Sequence, residues 1–274
     1  MSKGNAVDAL IQFWREFNAP PTDPQIHPQD REFFAQHGLL AGVEEKLKQR
    51  VTFDSFTKDQ EHFQPESPDF HFWLTPIPYV GNLGEAEVVI LMLNWGLDYT
   101  CYHAEEQPRF RDEVLLPNLR QEAFDKSYPF FCLNPGYCWY GGFEYWEKRF
   151  RKMIRKLVEG GKADSYLDGL QKFSQRIAVL QMIPYTSWTF GSQHEKLITE
   201  SRKKGNTRGI LPSAQRAREA AQALKNAGKS LIVVRRSQWW NVSGGTRVLL
   251  YKGSEGRGGY FTSAAKKLLS KPWG

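Results

Sequence analysis

Apolar positions along the chain fall into two patterns. The first repeats every three to four residues. Ala6, Leu10, Phe13, Trp14 and Phe17 share one helical face, and the Pro-rich stretch after Asn18 ends that segment. Residues 29–50 are predicted to be helical in two pieces broken at Gly38, and residues 108–124 to hold a short helix. Phe143, Trp146, Phe150, Ile154 and Leu157 stripe a helix over 143–158, which Gly160-Gly161 stops. Residues 164–175 read as helical. Ile210-Leu-Pro-Ser opens a helix that runs to Gly228, with Ser213 as N-cap. A short basic helix over 262–270 closes the chain.

The second pattern is the unbroken apolar run. Val88–Leu93, Arg176–Tyr185 (ending near Pro184) and Ser230–Val234 read as strands buried on both faces, and Thr246–Tyr251 as a fourth strand. Strands alternating with helices predict an α/β fold. The specific expectation is a three-layer α/β/α sandwich around a central, mostly parallel four-stranded sheet. Residues 1–274 read as one domain, with 1–84 as an N-terminal helical and extended extension. Residues 51–84 lack a clear period, and their His62 and His71 read as surface or packing histidines. Residues 190–209, with Lys203, Lys204 and Arg208, read as a mobile basic loop, and 253–259 as a Gly-rich connection.

Three strands end in polar residues: Asn94 and Asp98, Gln181 and Tyr185, Arg235 and Ser237. Parallel strands would bring these endings to one edge of the sheet, where open α/β folds place their ligand crevice. The competing reading of Asn94-Trp95-Gly96 is a plain turn, which Asn and Gly favour.

Composition narrows the partners. The chain of 274 residues is 41% hydrophobic and 14% aromatic, enough for a substantial core, and carries net charge +7. A basic balance favours an anionic partner, nucleic acid first. Lys148, Arg149, Arg151, Lys152, Arg155 and Lys156 on the 143–158 helix could touch phosphate or form an ordinary solvated face. Three cysteines make no disulfide framework and point to a reducing, cytoplasmic setting. They are too few for a four-cysteine iron–sulfur cluster. No apolar stretch approaches the ~20 residues of a membrane span, and the first residues lack the apolar core of a signal peptide. A monomer with no cofactor, no metal and no membrane partner is expected.

The layout over residues 85–242 resembles the uracil-DNA glycosylase superfamily. Its first motif, of the type Gly-x-Asn/Asp-Pro-Gly after a buried strand, is met by Met92-Leu93-Asn94-Trp95-Gly96, with Met and Trp in place of the first Gly and the Pro. Its second motif, of the type His-Pro-Ser-Pro-Leu, is met at Arg235-Arg236-Ser237-Gln238-Trp239 only by the Ser. Gln181 stands where members place an Asn that reads the base edge. Leu211-Pro212-Ser213 matches a helix start that often precedes the second motif. Leu133-Asn134-Pro135-Gly136 is a literal first-motif match, but the Pro-containing stretch before it is a poor central strand. Asn94 is therefore preferred, with Asn134 as the fallback.

The resemblance implies hydrolysis of the N-glycosidic bond of a base flipped out of double-stranded DNA. Asp98 would orient or activate water and Asn94 would position it. Arg235 would stabilise the departing base anion or contact phosphate. Trp95, Tyr99, Phe131 and Gln181 would surround the base, with Phe130 as alternative to Phe131. Ser213, Arg236 and Ser237 would contact DNA, and Trp239 or Trp240 would fill the vacated stack, the other being core. The altered motifs imply a substrate other than uracil: a modified pyrimidine, such as the glucosylated 5-hydroxymethylcytosine of phage DNA, and hence antiviral defence. Alternatives are a repair glycosylase for uracil or another deaminated base, and a non-catalytic DNA-binding module of the same fold. A metal-dependent nuclease using Asp98, His103, Glu105 and Glu106 ranks lower because no second cluster completes a metal site. Ranking below it is a nucleotide-binding enzyme, because the Gly-rich segment lacks the Lys-Ser/Thr ending of a phosphate loop.

Overall fold

The apolar run at 88–93 becomes the middle of the sheet. The computed structural model describes residues 5–39, 44, 47–60, 63–64, 67, 69–122, 124–203, 206–252, 255 and 261–271. His62, Lys204, Gly205, half of the second helical piece after Gly38 and the Gly-rich loop apart from Glu255 lie outside the described residues.

Strands β1 (Tyr79–Val80), β2 (Val88–Gly96), β3 (Ile177–Ser187), β6 (Ser230–Val233) and β7 (Val248–Leu250) form one sheet in the order β1-β3-β2-β6-β7. β1 runs antiparallel to β3, and the other pairs are parallel. The sheet is thus mixed and five-stranded rather than four-stranded. The added strand is two residues long, too short to show a period in sequence. Residues 190–209 also differ from expectation. They hold a helix, Ser192–Ile198, and a hairpin of β4 (Ser201–Lys203) and β5 (Asn206–Arg208).

β3 runs on past Pro184 to Ser187. The β2/β3 register pairs Asn94 with Ile183 and Gly96 with Ser187, so the ladder is irregular across Pro184 and asks no N–H of it.

Side chains alternate between two cores, as a strand period of two requires. Val89, Leu91, Leu93, Ala178, Leu180, Met182, Leu231 and Val233 face one core. Val88, Ile90, Ile177, Val179, Ile232 and Val234 face the other. Helices α1 (Ala6–Arg15) and α2 (Pro28–Gln36) pack on the first side. Helices α3 (Gly141–Glu159) and α4 (Tyr166–Arg176) pack on the second. α5 (Pro212–Asn226) returns to the first side and α6 (Ser263–Ser270) to the second. The N-terminal segment is part of this core: Leu10, Phe13 and Trp14 of α1 are buried in the same cluster as β2 and β3. Burying such side chains is worth about 1.5–3 kcal/mol each.

α5 begins at Pro212, with Leu211 in the capping position. Ser213 lies inside the first turn and is buried. Its backbone N–H donates to Asp30 Oδ1 at 3.0 Å, so a carboxylate from α2 serves the helix start. Tyr185 donates its hydroxyl to Asp30 Oδ2 at 2.7 Å and so points to this core, away from the strand-end crevice. Among the described residues, no helix is long and apolar enough to cross a membrane.

Candidate functional site

β6 pairs with β2 only from Val88 to Leu91. β2 continues to Gly96, so its carboxyl half has an open edge. The chain reaches β3 through α3 and α4 on one face and β6 through α5 on the other. Crevices open beside such a central strand, at the carboxyl end. A cavity of about 610 Å³ lies there. It is lined by Met92–Asp98, by Gly141, Gly142, Glu144, Tyr145, Trp146, Lys148 and Arg149 on the first turns of α3, and by Gln181, Phe190, Val234 and Arg235.

Four polar side chains expected at the strand ends meet in this cavity: Asn94, Asp98, Gln181 and Arg235. Asn94 follows Val88 and Ile90 on the α3 side of β2. Its Nδ2 donates to Ser187 Oγ at 2.8 Å and to the Trp95 carbonyl at 3.2 Å. Asp98 is half-buried. Its Oδ1 accepts from the Thr100 amide at 2.7 Å and the Thr100 hydroxyl at 2.5 Å. The same hydroxyl accepts the Gly141 N–H at 2.8 Å. The carboxylate therefore sits at the amino end of α3, where the helix dipole favours negative charge.

Gln181 is the polar exception on the face of β3 that also carries Ile177 and Val179. It is 2% exposed, yet its Oε1 has no hydrogen-bond partner. Leaving a buried polar group unpaired costs about 1–3 kcal/mol. Trp146 also lines the cavity, and its buried indole N–H is likewise unpaired. Trp95 is buried and belongs to the core under α3 while lining the cavity wall.

The rim is basic. Arg235 is exposed and makes no ion pair with any described residue. Lys148 is exposed beside it, and the Arg149 guanidinium lies 3.2 Å from the Tyr145 ring centroid. Glu144 is the acidic member of this rim. Phe190 supplies an aromatic face. Its ring contacts His194 and Trp239, at centroid distances of 4.8 and 5.6 Å.

Other expected site residues lie elsewhere. Phe131 and Phe130 are buried in the core under α3, Phe131 against Phe110 and Tyr140, so neither can stack on a ligand in the cavity. Tyr99 is 56% exposed outside the cavity, stacked on Phe63. Ser213 is buried and cannot meet DNA. Trp240 is fully buried in the core. Trp239 is 8% exposed, between Phe190 and the Arg236 guanidinium, and is not a free wedge. Arg236 is exposed and pairs with Glu195 at 3.3 Å, and Ser237 is half-buried at the start of a short helical turn. Asn134 is spent on its own turn, accepting the Gly136 N–H and donating to Asp125.

The acidic set considered for a nuclease is also dispersed. Glu105 holds Thr75 and Arg111, and Glu106 accepts the Phe53 N–H. Among the described residues, no group of three or more His, Cys, Asp or Glu side chains could hold a metal ion.

Sequence reasoning missed Phe190, Thr100, Ser187 and His194. The Gly141-Gly142 pair was the available signal for the first turn of α3, because adjacent glycines permit close approach. Comparison with protein-family models, curated proteins and solved structures gives no match.

Proposed function

We propose that the protein is a monofunctional DNA glycosylase that releases a modified pyrimidine from DNA. The carrying observation is the convergence of Asn94, Asp98, Gln181 and Arg235 on one cavity at the carboxyl ends of parallel strands. The order of motifs between residues 85 and 242 supports the same reading.

The target nucleotide rotates out of the duplex into the cavity. Gln181 meets the polar edge of the base and Phe190 its flat face. Asn94 and Asp98 hold a water molecule at the sugar. The water oxygen bonds to the anomeric carbon as the C–N bond breaks, and the base leaves with the bonding electrons. The water proton passes to Asp98. Arg235 offsets the charge growing on the base. Lys148 and Arg236 face the phosphates.

The cavity volume supports a base enlarged by modification. Cavities of about 300–1,000 Å³ take drug-sized ligands, and a bare pyrimidine occupies only part of such a space. Glucosylated 5-hydroxymethylcytosine of phage DNA is a base of suitable size, and its removal would serve antiviral defence.

The test is incubation with phage DNA carrying modified or unmodified bases, followed by detection of abasic sites and of the free base by mass spectrometry. Abasic sites formed by the wild type and lost in Asp98→Asn support the reading. Folded protein that releases no base from any DNA overturns it.

A further inference from the structure

Asn94 is held by its amide nitrogen. Both hydrogens of Nδ2 are committed, one to Ser187 Oγ and one to the Trp95 carbonyl. The orientation of the amide follows from what lies behind Ser187. His194 is fully buried, with Phe70 and Phe190 packed on its ring at centroid distances of 4.4 and 4.8 Å. Its Nδ1 accepts the Gly191 N–H at 3.1 Å, so the proton of the neutral ring is on Nε2. Nε2 lies 3.0 Å from Ser187 Oγ and donates to it. The Ser187 hydroxyl sends its single hydrogen to the Thr189 carbonyl at 2.9 Å. Its lone pairs are left to accept from His194 and from Asn94. An Asn94 amide turned the other way would set its carbonyl oxygen against an oxygen whose hydrogen is already in use.

We infer that Ser187 and His194 are positioning residues that lock the Asn94 amide, making its Oδ1 a dedicated hydrogen-bond acceptor in the cavity. Such an atom takes an O–H or N–H and rejects an anion. The catalytic consequence rests on the glycosylase reading: Oδ1 takes one hydrogen of the attacking water and aims its oxygen at the sugar. The relay joins β2, β3 and the 192–198 helix, so the aim is set by tertiary structure.

The test combines side-chain amide NMR with kinetics. The Asn94 ¹⁵N–¹H₂ signals are assigned by their loss in Asn94→Ala. In the wild type they are rigid and slow to exchange, and ¹⁵N shifts of His194 report an Nε2–H ring. Ser187→Ala and His194→Leu make the Asn94 amide mobile. They lower kcat for base release on the order of 10²-fold and leave KM unchanged. His194→Gln, which keeps a donor where Nε2 stands, retains a rigid amide and most of kcat. An Asn94 amide as rigid in Ser187→Ala as in the wild type, or an Nδ1–H ring at His194, overturns the inference. Absence of base release by the wild type defeats the glycosylase reading alone, because the amide signals decide the positioning without it.

Discussion

Asp98 and Gly141 share one small space: a side-chain carbon at Gly141 would lie 2.4 Å from Asp98 Cγ and 2.5–2.6 Å from both carboxylate oxygens. No carboxylate tolerates a methyl group at that separation. The first residue of α3 is therefore matched to the carboxylate that follows β2.

Gly141→Ala is expected to displace the Asp98 carboxylate while leaving the fold intact. Alanine in a helix gains about 0.5–1 kcal/mol over glycine, which offsets part of the strain. Base release should fall on the order of 10²-fold, as for other misplacements near 1 Å, with the melting temperature almost unchanged. Comparison of single-turnover rates and thermal melts checks this.

Thr100→Val keeps the shape of the side chain and removes the hydroxyl that joins Asp98 Oδ1 to the Gly141 N–H. Base release is expected to drop roughly tenfold, and Thr100→Ser should restore it. Equal rates in the valine and serine variants would show that the bridge contributes nothing.

Gln181→Leu should separate stability from activity. Removing the unpaired Oε1 is expected to raise stability by about 1 kcal/mol, seen as a higher urea midpoint. Base release should fall on the order of 10²-fold. A variant that is both less stable and fully active would contradict the role given to Gln181.

Acid should weaken the fold through two buried histidines, with the buried carboxyls of Asp30 and Glu105 acting the other way. Burial lowers His27 and His194 to about 4, so the unfolded chain binds their protons first and stability is lost as pH falls from about 6.5 to 4. Burial pushes Asp30 up to about 6, so its contribution runs the opposite way, declining as pH rises from about 4 to 6. By pH 5 each histidine costs on the order of 2 kcal/mol, more than Asp30 returns. Urea unfolding at pH 7.5 and pH 5 should show a loss that is smaller in His194→Gln and larger in Asp30→Asn.

The central strands were legible in the sequence because long apolar runs between turn residues have few other uses. The same contrast exposed Asn94, Asp98, Gln181 and Arg235, polar breaks at or near the ends of such runs. Local rules failed where distant partners decide. Ser213 fits a capping pattern, but the cap comes from Asp30, 183 positions away. Phe131 and Phe190 are chemically alike, and only the folded chain tells which is core and which faces the cavity. Ser187 and His194 sit in a stretch without period, so nothing local marks them.

β2 and β3 outrun their neighbours, and Asn94 and Gln181 are anchored in the backbone ladder itself. Glu144 and Tyr145 border the cavity from α3, outside these two strands. The molecule thus separates a fixed reaction bed from an interchangeable frame. Redesign of base preference can proceed at the frame, one residue at a time, with the ladder left as it stands.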